Sequence, residues 1–337
     1  MKGLNSKFYN KYFCLFGDCY PVSDSKRCAV YLLNSNRIEI LPLDAFELLH
    51  LLKNDTIGSV ASNYHNSEVI YNWVAYFLKI GIGFLTSDIS GFCYPKILPQ
   101  FSPSHIKRLQ LEYSSTSNYN LSEVAKAIEE LHCKHAEIRF LGNDITNEFV
   151  SFFLNFFRVS CLRSIILYID GKHFRVKDAT QITETNKKVN KIIICNTREL
   201  SFADDVLTTQ GTLQYFSQKK WPIDRLIINR AMFAEAFHYN TFYNNKMAID
   251  KIGFIRNDLY LPETYGKFDK CIDICQIVHS SSFRRFWKIS PDQIEELKDN
   301  ALRYAIYPAR EIIMSEEKFH IKIYYCPLNI EILIPTH

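Results

Sequence analysis

Four runs decide the fold: Ile106–Tyr113 (IKRLQLEY), Glu137–Gly142 (EIRFLG), Arg163–Asp170 (RSIILYID) and Lys191–Asn196 (KIIICN). Each is short and rich in β-branched or aromatic side chains, the pattern of a strand. Their starts lie about 28 residues apart, close to the roughly 31 residues per unit of a (β/α)8 barrel. Helical periodicity fills the first gaps, at Ser122–Lys134, where Asn120 and Glu123 have capping-box spacing, and at Asn147–Phe157. A fifth run, Arg225–Asn229 (RLIIN), follows. Alternation at this period predicts parallel strands joined by right-handed crossovers. Five strands fall short of a closed barrel, so residues 104–245 are expected to form an incomplete (β/α) barrel or an open parallel sheet.

Upstream, residues 1–90 read as a separate small unit. Extended runs at Phe13–Val22, Arg27–Leu33 and Arg37–Leu41 are divided by Ser23-Asp24-Ser25 and Asn34-Ser35-Asn36. Three helices follow. Asp44 is the expected cap of the first, with Glu47 at capping-box spacing; Asp55 caps a short helix through Ala61, and Asn66 or Ser67 opens a third that stops at Gly81. With a last strand at Ile82–Thr86, this order predicts a winged-helix-like domain. A linker carrying Pro95, Pro99 and Pro103 joins it to the parallel strands. Residues 246–337 form a third segment. Lys246–Phe254 is extended, Cys271–Lys288 and Asp292–Tyr304 have helical spacing, and Phe319–Tyr325 with Ile330–Ile334 suit a hairpin.

With 47% hydrophobic and 23% charged residues, the 337-residue chain has the apolar content for full cores. A net charge of +4, with Lys and Arg dispersed, argues against nucleic acid as a partner. No apolar run nears the roughly 20 residues that cross a bilayer. The opening MKGLNSKFYNKYF also lacks the apolar stretch of a secretory signal. The ten cysteines are scattered, so reduced thiols in a cytoplasmic protein are expected.

The candidates for chemistry each have a plainer alternative. Cys271, Cys275 and His279, four apart, would share one helix face and offer soft ligands to zinc, but free cysteine also packs as a small hydrophobe. His132-Cys133-Lys134-His135 ends a helix, where cations suit the dipole. Asp170-Gly171-Lys172-His173 lies just beyond a strand, where barrel active sites gather, yet Asp-Gly is also a common turn. Gly81-Ile82-Gly83 lacks the remaining features of a dinucleotide loop. Phe283-Arg284-Arg285-Phe286-Trp287-Lys288 fits a half-buried amphipathic helix as well as a binding patch.

Four stretches carry a resemblance: FCLFGDCYPVSDSKRCAVYLL (Phe13–Leu33), LSEVAKAIEELHCKHAEIRF (Leu121–Phe140), HYNTFYNNKMAIDKIGFIRN (His238–Asn257) and FRRFWKISPDQIEELKDNALRYAIYPAR (Phe283–Arg310). In this order they resemble the SPASM-domain peptide maturases of grasp-with-spasm systems. There a maturase accompanies an ATP-grasp ligase and a graspetide-type ribosomal precursor peptide. The family carries C-x2-C-x5-C-x2-C near its C-terminal end. In this chain those positions are Leu297, Asn300, Ile306 and Ala309, and a further expected cysteine falls near Asp258. Leu, Ile and Ala offer no lone pair to a cluster that thiolates hold. The span Glu112–Lys126 has no cysteine either, so the radical S-adenosylmethionine motif is missing after the first barrel strand.

The resemblance implies an α/β protein with an N-terminal winged-helix-like recognition domain, an incomplete (β/α) barrel of radical-SAM type, and a degenerate SPASM-like C-terminal region. It implies a pseudoenzyme-like role: binding the precursor's leader peptide, with an ATP-grasp ligase as a further partner and a homodimer allowed. No metal or cofactor is expected. Leader peptides join such domains as an added strand. Here the edge would be Arg37–Ile40 and the adjacent helix Glu68–Lys79, with Arg37, Ile38, Ile40, Tyr71 and Lys79 as the peptide-binding residues. The alternatives are an enzyme with a site on the barrel rim, using Asp170 and His173, or a regulatory partner of an intact maturase.

Overall fold

The computed structural model describes residues 7–92, 96–99, 102–142, 144–172, 174–199, 201, 203–213, 226–269, 271–309 and 311–321. They fall into two compact units: 1–100 with 221–241 and 289–337, and 101–220 with 242–288. The change at 100/101 lies within the expected linker, between Pro99 and Pro103. Segment 246–337 is shared between the units at 288/289.

In the first unit, β1 (Tyr12–Leu15) pairs antiparallel with β5 (Gly83–Thr86). β2 (Cys19–Ser23), β3 (Arg27–Leu32) and β4 (Arg37–Pro42) make an antiparallel sheet in that order. The run expected at Phe13–Val22 is therefore two strands in two sheets. A turn through Gly17-Asp18, closed by Cys19 N donating to Phe16 O at 2.9 Å, separates them.

Helices α1 (Leu43–Leu51), α2 (Ile57–Ser62) and α3 (Ser67–Ile80) follow. Asp44 does not cap α1: Pro42 is the cap residue, with no side-chain bond, and Asp44 lies in the first turn. Asp55 is replaced as the cap of α2 by Thr56, whose hydroxyl accepts from Ser59 N at 3.2 Å. Asn66 caps α3 as expected. Gly81 ends it with φ 73, while Ile82 N donates to Phe77 O at 3.2 Å. A Cβ at Gly81 would meet nothing within 4 Å, so Gly81→Ala should cost only the backbone strain, roughly 1 kcal/mol. Chemical denaturation tests this, and a loss above about 2 kcal/mol would contradict the open surroundings.

The three-stranded sheet is covered on both faces. Cys28, Val30, Leu32 and Leu41 join the core built with the helices, including Leu48, Leu52, Val74 and Phe77. Val22, Ala29, Tyr31 and Leu33 join a second core with Phe233 and Ala236 of α7 (Arg230–His238) and with Ala301, Tyr304 and Ala305. The segment 292–304 is not the expected helix. Only Pro291–Gln293 is helical there, as one 3-10 turn, and linked turns follow. Most of its N–H groups bond within turns, and two are diverted to side chains: Leu302 N donates to Asn300 Oδ1 at 2.8 Å and Ala301 N to Asp24 Oδ2 at 3.2 Å. A hairpin forms between β13 (Ile312–Ser315) and β14 (Lys318–Ile321), and residues 322–325 of the first expected strand lie outside the described residues. Ile330–Ile334 lies outside the described residues.

The second unit is an open seven-stranded sheet, not a closed barrel. It holds β6 (Arg108–Tyr113), β7 (His135–Phe140), β8 (Ser164–Asp170), β9 (Val189–Cys195), β10 (Val206–Thr208), β11 (Lys246–Ile249) and β12 (Ile255–Arg256). Their order is β10-β9-β8-β7-β6-β11-β12, parallel except for β12. Four expected strands are present, but the fifth is Val206–Thr208. Leu226, in the run proposed for that strand, instead bridges antiparallel to Ile306 within the first unit. Helices α4 (Leu121–Glu130), α5 (Asn147–Asn155) and α6 (Val176–Thr185) occupy the crossovers. Asn120 caps α4, accepting from Ser122 N at 2.8 Å, while Glu123 pairs with Lys126 at 3.0 Å.

The expected helix over Cys271–Lys288 is shortened to α8 (Ile274–His279). Asp273 caps its start. Ser280 ends it, because its hydroxyl donates to Ile277 O at 2.7 Å and accepts from Phe283 N at 3.2 Å.

Candidate functional site

β4 is the outer strand of its sheet, so one side of its backbone has no strand partner in this sheet. Strand alternation divides the residues expected to bind there. Arg37, Glu39 and Leu41 lie on the face of the helical core, which buries Leu41. Ile38 and Ile40 lie on the other, where Ile38 packs against the second core and Ile40 is 48% exposed. Arg37 is fixed at the strand's start: Nε lies 3.1 Å from Glu39 Oε1, and Nη2 donates to Ile80 O at 3.0 Å. That carbonyl belongs to the last turn of α3, where a cation is favoured. Lys79 is exposed, whereas Tyr71 is 6% exposed inside the helical core. Helical spacing aligns Tyr71 with buried Ile70, Val74 and Phe77, so its ring is structural.

The outer face of α3 has a shallow hollow of about 220 Å³ lined by Val69, Asn72, Trp73 and Tyr76. A second, of about 240 Å³, lies between β2 and α1 and includes Phe16, Pro21, Phe46 and Leu49. Both fall below the roughly 300–1,000 Å³ of a small-molecule cavity.

The large sheet holds a polar face that the sequence reading missed. Leu109, Leu111, Ile138, Phe140, Leu167 and Ile192 alternate with Arg108, Gln110, Glu112, Glu137, Arg139 and Tyr168. The apolar set faces the crossover helices, as the Phe140–Phe153 contact shows, with ring centroids 4.9 Å apart. The polar set forms a network. Arg139 donates to Glu137 Oε1 through Nε at 3.0 Å and Nη2 at 2.6 Å, and bonds the Tyr260 hydroxyl. Gln110 donates to Glu137 at 3.4 Å and accepts from Leu259 N at 3.3 Å. Lys246 and Asp258, both buried, form an ion pair at 2.5 Å.

Burial pushes Glu112 upward against the pull of Arg139. Burial likewise pushes Lys246 down, while Asp258 draws it back. The signal was present as alternation in RLQLEY and HAEIRF, since a parallel strand covered on both faces reads as continuously apolar. On the β8–β9 side, Ile193, Cys195 and Leu213 close the same face with Ile166 and Tyr168.

The remaining candidates resolve locally. Cys271 precedes α8 and is exposed, so Cys271, Cys275 and His279 do not share one helix. Among the described residues, no three His, Cys, Asp or Glu are placed to hold a metal ion. Asp170 accepts from Lys172 N at 2.9 Å, the bond of a turn, and His173 lies outside the described residues. Phe283 and Trp287 are buried, and Arg285 pairs with Glu263 at 2.8 Å. His132 has φ 51 in the turn after α4.

At the positions singled out for their lack of cysteine, Leu297 and Ile306 are buried hydrocarbon, and Asp258 is half of the buried ion pair. The eight described cysteines are free. Burial pushes the thiols of Cys19, Cys28, Cys133 and Cys195 up to about 12, which keeps them protonated at neutral pH. Among the described residues, no helix is long and apolar enough to cross a membrane. No protein-family model matches the chain, and no curated protein matches it.

Proposed function

We propose that this chain is an accessory peptide-binding protein of a grasp-with-spasm ribosomal-peptide system. It takes an extended stretch of the precursor as an added strand on β4 and does no radical or iron–sulfur chemistry itself. The observation that carries this reading is the outer position of β4 with Ile40 half exposed beside it. Main-chain pairing supplies affinity, exposed Lys79 offers positive charge to acidic residues of the peptide, and Arg37 can exchange its Glu39 partner for one of them. An ATP-grasp ligase is the second partner, and the cytoplasm is the setting.

The test is fluorescence polarisation with a labelled synthetic leader peptide of a grasp-with-spasm precursor. Ile40→Lys puts a charge on the edge that opposes strand addition, and Arg37→Ala removes the fixed cation. Each should weaken binding by about tenfold, roughly 1.4 kcal/mol, with thermal stability preserved. Unchanged affinity in both variants, or no binding by the parent protein, refutes the reading.

A second reading, an enzyme working on the polar sheet face, is favoured by the opposed shifts of Glu112 and Lys246. A mass change in the precursor after incubation with this chain alone would support it instead.

A further inference from the structure

Three histidines from separate stretches of the second unit meet. His105 lies in the segment leading into β6, His132 in the turn after α4, and His279 at the end of α8. The rings of His105 and His279 are 4.7 Å apart and nearly perpendicular, while His132 stacks on His105 at 6.0 Å. His279 Nδ1 lies 2.7 Å from Cys275 O, and His279 Nε2 lies 3.1 Å from His105 Nδ1.

These distances fix the protons. A carbonyl only accepts, so His279 Nδ1 carries hydrogen, and neutral His279 has a lone pair on Nε2. His105 Nδ1 then donates to it. One added proton does not break this bond. It either sits on His105 Nε2, leaving the Nδ1 donor in place, or sits on His279 Nε2, which then donates to a re-tautomerised His105. In both forms the bond becomes charge-assisted. Only a second proton leaves donors facing donors, with two imidazolium rings in contact.

We propose that His105 and His279 form a two-proton latch, which holds the end of α8 to the entry of β6 when neutral or singly protonated and opens when the second proton arrives. Other charged and titratable groups bear on the pair from each side. His132 stands over His105, and Arg284, from the segment after α8, donates through Nε to Val278 O at 2.7 Å. Glu130 of α4 and Asp273, the cap of α8, bear on Cys275. Burial, then His279, His132 and Arg284, hold His105 below its ordinary value of 6.5.

The sign follows from that direction. At the second proton the folded form binds fewer protons than the unfolded chain, so the latch's contribution is lost as pH falls through the lowered value. His105 is anchored by its own N–H to Leu131 O at 3.0 Å, and Ile106 is fully buried. α8 has only six residues, and its last turn is also held by buried Val278 and by Arg284 on Val278 O, so opening is read locally at Ile277 and Val278.

The test combines histidine NMR titration of the full chain with hydrogen-exchange protection of Ile277 and Val278 from pH 8 to 4.5, each corrected for intrinsic exchange. The hydrogen-bonded pair should take up its two protons in separate macroscopic steps. Protection should fall roughly tenfold with the second step and not with the first. In His105→Asn the side-chain amide donates or, flipped, accepts, so the second fall should vanish; His279→Gln should behave alike. His132→Asn should keep both steps and move the second to higher pH. Protection that stays level through both steps, or a fall of equal size in both non-titrating variants, overturns the proposal.

Discussion

Asp258→Ala is expected to destabilise the second unit by about 3–5 kcal/mol, because it strands a buried charge. Asp258 and Lys246 are 1% and 3% exposed, and their charged atoms are 2.5 Å apart. The ammonium also lies 3.3 Å from the centroid of the Phe242 ring, a contact that cannot replace a carboxylate. Desolvation already lowers the Lys246 pKa, and Asp258 is the group that raises it most strongly. Without Asp258 the value falls further below that of the unfolded chain. Between the two values the unfolded chain binds more protons, so the variant's stability should rise as pH increases from 7 to 9.5. Lys246→Met with Asp258→Leu should recover most of the loss, since an apolar pair needs no compensating charge. Urea denaturation of the three proteins at both pH values decides it. A single-variant loss below about 1 kcal/mol would mean that water reaches the pair.

How much could be read in advance depends on whether a signal is local. The strands at β6 to β9 were legible because branched residues crowd into short runs between turns. β10 was not: Val206–Thr208 has three residues, and only parallel pairing with Ile192–Ile194 makes it a strand. RLIIN had the right pattern, but its partners are remote, with Ile227 N donating to Ala305 O at 2.8 Å. The helices expected over 271–288 and 292–304 had suitable spacing, yet Ser280 and Asn300 offered the backbone competing bonds.

The candidate sites follow the same rule. The outer strand Arg37–Pro42 could be placed from its neighbours in sequence, while the inward turn of Tyr71 follows only from the packing of α3. His279 was singled out with two cysteines of its own segment. Its actual partner, His105, is 174 positions away, a separation that periodicity cannot span.

Remote contacts also govern the N-terminal sheet, and Phe233→Ala exposes that dependence. Phe233 is 2% exposed. Its ring lies 4.7 Å from Tyr31, 5.1 Å from Tyr20 and 5.3 Å from Tyr304, centroid to centroid. Tyr31 donates to Ala301 O at 3.0 Å, so three stretches of chain meet around this one side chain. Truncation leaves a cavity that aromatic neighbours, one of them held by a buried hydrogen bond, refill poorly. The expected cost is about 3–5 kcal/mol. Phe233→Leu keeps much of the volume and should cost less than half as much. A fragment ending at residue 100 loses the whole second core and leaves Ala29, Tyr31 and Leu33 open on one face of β3. It should therefore aggregate or expose apolar surface to a dye such as ANS, while the full chain does not. A soluble, cooperatively melting fragment would show that the helical core alone sustains the sheet. It would also make α7 and residues 301–305 an accessory cover rather than half of the unit's foundation.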